Sequence, residues 1–549
     1  MAAFDFHLTL EHIEAANRQR RIIFQDDVLA TRAFRTGEVS PERWQKIVAF
    51  YMSRLDGAPN QIDSVWHEWG EGNTAVWPSE VLPQTDNVFP EWWEAGIDPV
   101  KALLEECRKR GREVFFSYRI NGSDNDELFD PPHDFKDPVP LKAEHPEWLI
   151  RKWHPYWNFA VQGVRDLKLA VLREVAETYD YDGISIDFAR VPILFPDGRQ
   201  WEHHALLTQF MREVRLALVE IGARRGKPIL LAARIPEDLP GCHFDGIDVE
   251  TWVREALVDT LVVGARTANA DVESFHNLTA STHISVYPSW DDHHSSDGYR
   301  HPSLEVWRGV CANWWRQNPD GVHTFNLMSP SPETHRSLDI ELAPRHRGGP
   351  ADEIDLGAAW KLQCHVFNEI GSPQTLEGLD KIFYIERRGG GHGEDFVPNA
   401  DNWYTPRHAY FQTNMRAPLP ARLLDDGSAD TILSLNVADD ANGLADAIDR
   451  LELRIAFTHS GDNGSIPLGD LADLLEVRVN NLMLNGAHRV DEEPTALNVH
   501  YQDWLAFPMS PTQLAVGENL IGIRLAAPPP ENQGPIRIEK VELHVHYAT

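Results

Sequence analysis

Cysteine is scarce in this sequence, and the few cysteines lie far apart. The 549 residues include four of them, with no CxxC pair and no spacing typical of metal ligands: Cys107, Cys242, Cys311 and Cys364. We therefore expect free thiols and no disulfide framework. Glycine-rich phosphate loops are also lacking, because neither GxGxxG nor GxxxxGK followed by Ser or Thr occurs where a strand leads into a helix. The sequence thus argues against nucleotide ligands and predicts no cofactor and no metal.

Positive charge is in short supply as well. Lys and Arg number 51 against 84 Asp and Glu, which gives a formal net charge of −33 at pH 7. Nucleic acid and anionic membranes bind broad basic surfaces, so neither is predicted as a partner. The sequence contains no apolar run of membrane-spanning length and no N-terminal signal pattern. We expect a cytoplasmic protein, or a periplasmic or secreted one if a signal was trimmed, and a homo-oligomer is left open.

The sequence does contain a regular alternation of short apolar runs and longer amphipathic segments. Eight runs have strand character, at residues 22–25, 62–66, 114–118, 183–186, 228–233, 260–263, 283–287 and 322–325. Helical periodicity is found between them, at residues 41–55, 99–110, 161–178, 202–225, 248–256, 303–315 and 356–370. Eight such repeats are typical of a (β/α)8 barrel in the α/β class, because open doubly wound sheets more often have about five or six strands.

The pattern changes after about residue 400. Helical periodicity gives way to short alternating segments at residues 452–457, 476–479, 482–484, 520–525 and 536–547, which are typical of an antiparallel β-sandwich. Asn485-Gly486 and the corner Gly517-Glu518-Asn519 are predicted to be turns between its strands. The sequence therefore predicts two domains, a barrel over residues 1–400 and a β-sandwich over residues 401–549.

One stretch of the predicted fourth strand carries a motif, in YDYDGISIDFARVP at residues 179–192. Its segment Asp182-Gly183-Ile184-Ser185-Ile186-Asp187 has the form DGxxxD and resembles a glycosyl-hydrolase-like barrel family related to glycoside hydrolase family ten. Residues 247–259 resemble the helix and strand that lead to the sixth strand of that family, and the resemblance covers residues 20–371. The tail, with LNG and GENLIGIRL, looks like a galactose-binding-type jelly roll. Chitinase-like barrels have a glutamate where this chain has Ala189.

The resemblance implies hydrolysis of an oligo- or polysaccharide, which needs two carboxyl groups, one protonated and one ionised. Asp187 is the first candidate, because it stands where the predicted fourth strand ends, and catalytic groups of barrels lie at the carboxyl ends of strands. The candidates for its partner are Glu237, which we rank first, then Glu68 and Asp291. For each of these three taken alone, a solvated loop carboxylate is the favoured alternative interpretation.

Arginines and aromatic residues are concentrated near the same strand ends. Four arginines predict a pocket for an acidic sugar such as a uronate or a sulfated residue, unless each neutralises a loop carboxylate: Arg119, Arg190, Arg234 and Arg266. Other candidates for substrate binding offer flat rings or hydrogen-bonding groups: Trp66, Trp69, Trp290, His67 and Asn326. A carbohydrate is therefore the predicted ligand. Two alternatives to a glycoside hydrolase stay open, a polysaccharide lyase or other carbohydrate-active enzyme, and a non-catalytic sugar-binding barrel.

Overall fold

A closed barrel of parallel strands comes first in the chain. The computed structural model describes residues 6–28, 33–57, 60–70, 72–85, 88–122, 139–151, 155–265, 267–291, 299, 302–327, 331–338, 356–387, 417–424, 427–459, 468–490, 503–528 and 536–548. Within these ranges, ten strands precede residue 326: β1 (Ile22–Asp27), β2 (Ile62–Glu68), β3 (Glu113–Arg119), β4 (Leu149–Arg151), β5 (Pro155–Trp157), β6 (Gly183–Asp187), β7 (Leu230–Ile235), β8 (Thr260–Val263), β9 (Ser285–Asp291) and β10 (Val322–Phe325). Eight close into a barrel in the order β1, β10, β9, β8, β7, β6, β3, β2, while β4 and β5 pair with each other. The predicted (β/α)8 barrel is confirmed.

Helices connect the barrel strands. In the described ranges they are α1 (Leu10–Ala16), α2 (Pro41–Asp56), α3 (Glu91–Glu94), α4 (Pro99–Lys109), α5 (Pro140–Glu144), α6 (Gln162–Thr178), α7 (His204–Arg225), α8 (Leu239–Asp245), α9 (Val249–Arg254), α10 (Val272–Thr279), α11 (Leu304–Trp315), α12 (Pro332–Ser337) and α13 (Leu356–Glu369). The side chains of Ser40, Asp98 and Ser303 cap α2, α4 and α11, satisfying a backbone N–H of the first turn. The helix predicted at residues 248–256 is shorter, because Asp248 is its cap and Ala256 has a φ of 54°. None of these helices is long and apolar enough to span a membrane.

A layer of apolar side chains fills the barrel interior. Alternate residues of a barrel strand point inward, and those in the middle of the strands form a buried cluster that includes Ile23, Trp66, Phe115, Ala232, Val262 and Tyr287. The rings of Trp66 and Phe115 are stacked, with centroids 5.1 Å apart. A ligand at the carboxyl ends of the strands therefore meets the inward side chains beyond this layer.

An ion-pair network closes the opposite end of the barrel around Asp259, which immediately precedes β8. The ring Nε2 atoms of His12 and His283 each lie 2.9 Å from Oδ1, and Nη1 of Arg215 donates to Oδ2 at 2.9 Å. The backbone N–H of Leu231 also donates to Oδ2, at 2.7 Å. Burial alone would raise the pKa of Asp259, but the charge of Arg215 and the two histidines hold this pKa well below its usual range.

Replacing Asp259 by Asn is expected to lower the free energy of unfolding by about 3–5 kcal/mol, because the buried guanidinium of Arg215 loses its counter-charge. Since the folded-state pKa is depressed, the stabilisation is present above the unfolded-state pKa of Asp and is lost as pH falls through the folded value. Urea denaturation at neutral and acid pH measures both effects. Asp63→Asn, which breaks a half-exposed pair with Arg21, serves as the control and should cost less than about 1 kcal/mol. Equal losses of unfolding free energy in the two variants would contradict the assignment of a buried stabilising ion pair to Asp259 and Arg215.

Two antiparallel sheets follow the barrel. The strands are β11 (Lys381–Tyr384), β12 (Ala421–Arg422), β13 (Thr431–Val437), β14 (Ile448–His459), β15 (Leu475–Val479), β16 (Leu482–Met483), β17 (His488–Val490), β18 (Asp503–Pro508), β19 (Gly517–Leu525) and β20 (Ile536–Tyr547), with the short helix α14 (Leu468–Leu474). One sheet has the order β11, β20, β14, β18, β17, with β12 on β20, and the other has the order β13, β19, β15, β16. Leu453 and Ile455 of the first sheet and Ile521 and Ile523 of the second belong to one buried core. The predicted β-sandwich is confirmed.

The turns of the sandwich differ from the prediction. Asn485-Gly486 does not close a hairpin, because β16 before it pairs with β15 and β17 after it pairs with β18, in the other sheet. The hairpin turn is Asn480-Asn481, whose φ angles of 49° and 66° suit asparagine. The predicted corner at residues 517–519 lies inside β19. Turn signals of this kind also occur in links between sheets and within strands, so they misled the prediction.

The first of the two sheets lies against the barrel. A Cβ atom at Gly309 in α11 would overlap the carbonyl oxygen of Ile382 in β11, so the helix and the strand are in close contact. Tyr299, which follows β9, donates its hydroxyl to Oε1 of Glu542 in β20 at 2.8 Å. The domain boundary at residues 400 and 401 lies outside the described residues and stays a prediction, although β11 already belongs to a sheet of the C-terminal region.

Candidate active site

Charged side chains lie side by side at the carboxyl ends of neighbouring strands. The strand register places Asp27 of β1 beside Glu68 of β2, Arg119 of β3 beside Asp187 of β6, and Asp187 beside Arg234 of β7. All five point inward, since they are separated by even numbers of residues from the side chains of the apolar layer. The barrel therefore gathers residues that are up to 207 positions apart in the sequence.

Asp187 is buried and fully engaged as a hydrogen-bond acceptor. Its Oδ1 accepts the backbone N–H groups of Ala189, at 2.9 Å, and Arg190, at 2.8 Å. Its Oδ2 accepts Nη1 of Arg234 at 3.0 Å, and less than 2% of either side chain of this ion pair is exposed. The two oxygens of Asp187 thus meet three donors, and one of these donors is the positively charged guanidinium of Arg234.

Two of the predicted arginines lie near the ring of Phe325 on β10. The guanidinium carbon of Arg234 lies 4.4 Å from the ring centroid and that of Arg119 lies 5.8 Å away, within the range of cation–π attraction. Arg119 donates from Nη2 to Oδ2 of Asp27 at 2.8 Å. Nε of Arg234 donates to the carbonyl oxygen of Gly264 at 3.2 Å, whereas its Nη2 is buried and has no partner among the described residues.

Glu68 occupies an environment of the opposite kind. Its side chain is buried, and its Oε2 accepts Oγ of Ser117 at 2.9 Å and Nε2 of Gln25 at 3.4 Å. Burial raises the pKa of Glu68 well above its usual range; Arg119 opposes this rise, and the negative charges of Asp27 and Asp187 add to it. Burial therefore favours the protonated form of this glutamate over the ionised form.

A chain of neutral hydrogen-bonding groups crosses the barrel beneath these charges. Oγ of Ser289 lies 2.9 Å from Nδ1 of His323, and Nε2 of His323 lies 3.1 Å from Oε1 of Gln25. Nε2 of Gln25 donates to Oγ of Ser117 at 3.1 Å, which leads to Glu68. Burial, together with the charge of Arg234, holds the pKa of His323 well below its usual range. Sequence reasoning missed Gln25, Ser117 and Ser289; the signal for them is their place two residues before a charged strand end.

Asp291 and Asn326 form a second polar contact at the ends of β9 and β10. Nδ2 of Asn326 donates to Oδ1 of Asp291 at 3.2 Å, and both residues are buried. Glu237 is half-buried two residues beyond β7, where its backbone carbonyl accepts the N–H of Asp271. Arg190 follows Asp187 and is buried, whereas Arg266 lies outside the described residues.

Four other predicted site residues lie away from the strand-end cluster. Trp66 belongs to the apolar layer of the barrel interior and has no exposed face. His67 points outward, where its Nε2 lies 3.7 Å from Sγ of Cys107 and burial lowers the pKa of the imidazole to about 3. The ring of Trp69 donates to the hydroxyl of Tyr181 at 3.2 Å. The ring of Trp290 also faces the helices and packs on Trp307 of α11, with centroids 5.0 Å apart.

The cluster therefore contains two buried carboxyl groups in unlike surroundings. Burial raises the pKa of Glu68, whereas the oxygens of Asp187 accept the guanidinium of Arg234 and two backbone N–H groups. Pairs of titratable groups with environments that separate their proton affinities are typical of acid and base pairs in enzymes. The described residues contain no group of three or more His, Cys, Asp or Glu side chains that could hold a metal ion.

Comparison with known structures returns distant matches. The glycoside hydrolase domain of PgaB (BpsB) from Bordetella bronchiseptica matches 59% of this chain and 98% of its own length, at 9% identity and a TM-score of 0.37. Alpha-L-fucosidase isoenzyme 2 from Paenibacillus thiaminolyticus matches 63% of this chain and 49% of its own length, at 13% identity and a TM-score of 0.38.

Comparison with known sequences returns a short match. No family model matches the chain. A curated protein of Escherichia coli (strain K12), named Glycosyl hydrolase DigH, is 26% identical over 133 residues, which make up 23% of this chain. The match spans 30% of the length of that relative. Over this segment, the chain is similar to a protein named a glycosyl hydrolase.

Proposed function

We propose that this chain is a glycoside hydrolase in which Glu68 is the general acid and Asp187 is the ionised partner. The observation that carries the proposal is the contrast between the two carboxyl groups: burial raises the pKa of Glu68, while Asp187 is paired with Arg234 and accepts two backbone N–H groups. Hydrolysis of a glycosidic bond needs this pair of states. The printed name of the Escherichia coli relative agrees with it. We also propose that the barrel is related to glycoside hydrolase family ten and that the sandwich has a jelly-roll topology.

In the proposed reaction, Glu68 transfers its proton to the glycosidic oxygen as the bond to the anomeric carbon breaks. Asp187 stabilises the positive charge that develops on the sugar ring and acts either as nucleophile or as the base for water. The anomeric configuration of the first product, followed by NMR, distinguishes these two roles. Glu68 replaces Glu237 as the proposed partner, because Glu68 belongs to the inward cluster and lies close enough to Asp187 for the charge of Asp187 to raise its pKa.

The proposed substrate ring at this site is neutral. Arg119 pairs with Asp27 and Arg234 pairs with Asp187, so the charges of both guanidinium groups are already balanced within the protein. An acidic sugar, the expectation from the sequence, is the second candidate. It is favoured by the buried Nη2 of Arg234, which has no partner in the described residues and could donate to a carboxylate or sulfate.

Arg234→Met separates the two candidates for the substrate. For a neutral ring, we expect kcat/KM to fall by similar factors on matched neutral and acidic oligosaccharides, because the lost group is the counter-charge of Asp187. The loss of one partner of a buried charge pair costs about 2–5 kcal/mol. Steady-state kinetics on the two substrates measure the effect, with Arg119→Met as the matched arginine variant. A loss confined to the acidic substrate would show that Arg234 binds an acidic group.

A barrel that binds sugar without cleaving it is the alternative function that a specific observation favours. Both oxygens of Asp187 are engaged, and its side chain is buried, as in a structural ion pair. A polysaccharide lyase has less support, because its general base would need a free imidazole and both ring nitrogens of His323 are hydrogen-bonded.

The proposal is tested by incubating the full chain with a panel of neutral and uronic oligosaccharides. A glycoside hydrolase releases new reducing ends without the ultraviolet absorbance of unsaturated products. Release of unsaturated products would instead assign a lyase. Binding by calorimetry with no product from any bound sugar would assign a non-catalytic barrel and contradict the proposed activity.

A further inference from the structure

Both hydrogen bonds to the side chain of Glu68 reach the same oxygen atom. Oε2 accepts the hydroxyl of Ser117 at 2.9 Å and the amide of Gln25 at 3.4 Å. No described residue donates to or accepts from Oε1 of Glu68. The two oxygens of this carboxyl group are therefore inequivalent, although they are chemically identical in the free amino acid.

The direction of the hydrogen bonds along the chain from Ser289 to Ser117 follows from the orientation of the Gln25 amide. A neutral imidazole carries one N–H group, and its Nε2 faces the amide oxygen of Gln25, which can only accept. The N–H group is therefore on Nε2, and Nδ1 accepts the hydroxyl of Ser289. With the oxygen of Gln25 turned to His323, its NH2 group faces Ser117 and Glu68.

We propose that this chain of hydrogen bonds positions the carboxyl group of Glu68: it keeps Oε2 as an acceptor and places the carboxyl proton on Oε1. The chemistry of carboxyl groups supports this placement, since an oxygen that accepts two hydrogen bonds is a poor site for a third hydrogen. Gln25, Ser117, Ser289 and His323 are then positioning residues. They present a single proton on the one oxygen that no described side chain occupies.

This inference rests on the proposed function, in which the proton is transferred to the substrate. In that step the Oε1–H bond breaks, its electron pair stays on Oε1, and a new O–H bond forms on the leaving alcohol. Oε2 meanwhile becomes part of the carboxylate, and the hydroxyl of Ser117 strengthens its hydrogen bond to the new negative charge. The chain of hydrogen bonds thus stabilises the carboxylate that proton transfer produces, and it also places the proton on Oε1 before the transfer.

Infrared difference spectroscopy tests the placement without any substrate. The carbonyl stretching band of protonated Glu68 is identified as the band that disappears in Glu68→Gln at neutral pH. If Oε2 is the carbonyl oxygen, Ser117→Ala shifts this band to higher wavenumber, because the carbonyl loses a hydrogen bond. Ser185→Ala is the matched control, since Ser185 is the register partner of Ser117 on β6 and its hydroxyl has no partner in the described part of the chain.

Three outcomes of this measurement would overturn the inference. The first is the absence of a carbonyl band that depends on Glu68. The second is a band that Ser117→Ala leaves unmoved, which would place the proton on Oε2 with the amide of Gln25 reversed. The third is an equal shift in Ser185→Ala, which would show a general change of the barrel interior.

Kinetics on paired leaving groups supply the second readout. On glycosides of a sugar that the wild-type protein cleaves, Ser117→Ala should lower kcat/KM about tenfold for an alkyl leaving group, the loss of about one hydrogen bond to a charge. For a dinitrophenyl leaving group, which needs no proton, the change should be less than about twofold. Ser117→Thr should restore the alkyl glycoside rate. Equal losses on both leaving groups contradict the inference, whereas inactivity of the wild-type protein on every glycoside contradicts only the proposed function.

Discussion

Asp187→Asn is expected to lower kcat by about 10³-fold on any glycoside that the wild-type protein cleaves. The substitution keeps the shape of the side chain but removes the negative charge that faces the developing positive charge of the sugar ring, and acid–base or nucleophilic carboxylates contribute about 10²–10⁴-fold each. Steady-state kinetics with the full chain measure the change. The dissociation constant for a substrate, determined by calorimetry, should change much less than kcat.

The matched control for Asp187→Asn is Asp182→Asn, the other aspartate of the DGxxxD motif. Asp182 lies at the opposite end of β6, where Oδ2 accepts the backbone N–H of Val114 at 2.9 Å and Oδ1 pairs with Lys227 at 2.5 Å. This variant should lose some stability and keep its kcat. Turnover near the wild-type level in Asp187→Asn would remove Asp187 from the reaction, and equal losses in both variants would assign the effect to folding.

Glu68→Gln is expected to abolish most of the activity on substrates with poor leaving groups, by about 10²–10⁴-fold. Gln keeps the acceptor oxygen that faces Ser117 and Gln25 but has no acidic proton to donate. Activity on a dinitrophenyl glycoside should largely survive, because that leaving group departs as a stable anion. Kinetics on the two glycosides measure the difference. An equal loss on both would show that Glu68 has a role other than proton donation.

The same variant should change the pH dependence of kcat/KM. A general acid works in its protonated form, so activity is present at low pH and is lost as pH rises through the pKa of Glu68 in the free enzyme. Because burial raises this pKa, the falling limb should lie well above the ordinary glutamate value of about 4.3. The contribution of protonated Glu68 to stability has the same sign, being present below the unfolded pKa and lost as pH rises through the folded one. In Glu68→Gln, the falling limb should disappear.

The fold was predictable from the sequence because its periodicities are local. The strand runs at residues 260–263 and 322–325 coincide with β8 and β10, and capping residues such as Ser40 and Asp98 mark the starts of helices. Turn positions in the sandwich were less predictable. Asn485-Gly486 has the composition of a hairpin turn, but the pairing of its neighbours with different sheets is a tertiary property that the dipeptide does not encode.

The strand-end residues of the candidate site were predictable, and their pairing was not. Asp187, Arg119 and Arg234 stand where apolar runs end, so sequence alone identifies them, whereas the pairs that they form depend on which strands are neighbours. The ranking of Glu237 above Glu68 assumed that neighbouring strands matter most, but Glu68 reaches the cluster from two strands away because β2 closes the barrel next to β3. Whether a predicted aromatic residue faces the barrel interior or the helices depends on its exact position in the strand, since a shift of one residue separates the inward Trp66 from the outward His67.

Mass spectrometry of the products formed in heavy-oxygen water tests whether Glu68 and Asp187 hydrolyse a glycosidic bond. The full-length wild-type protein should incorporate one solvent oxygen at the anomeric carbon of the released sugar. Glu68→Gln and Asp187→Asn should form this labelled product far more slowly, and Asp182→Asn should form it at nearly the wild-type rate. Cleavage that yields only unlabelled products, or labelling that is unaffected in both active-site variants, would contradict the proposed hydrolysis by these two carboxyl groups.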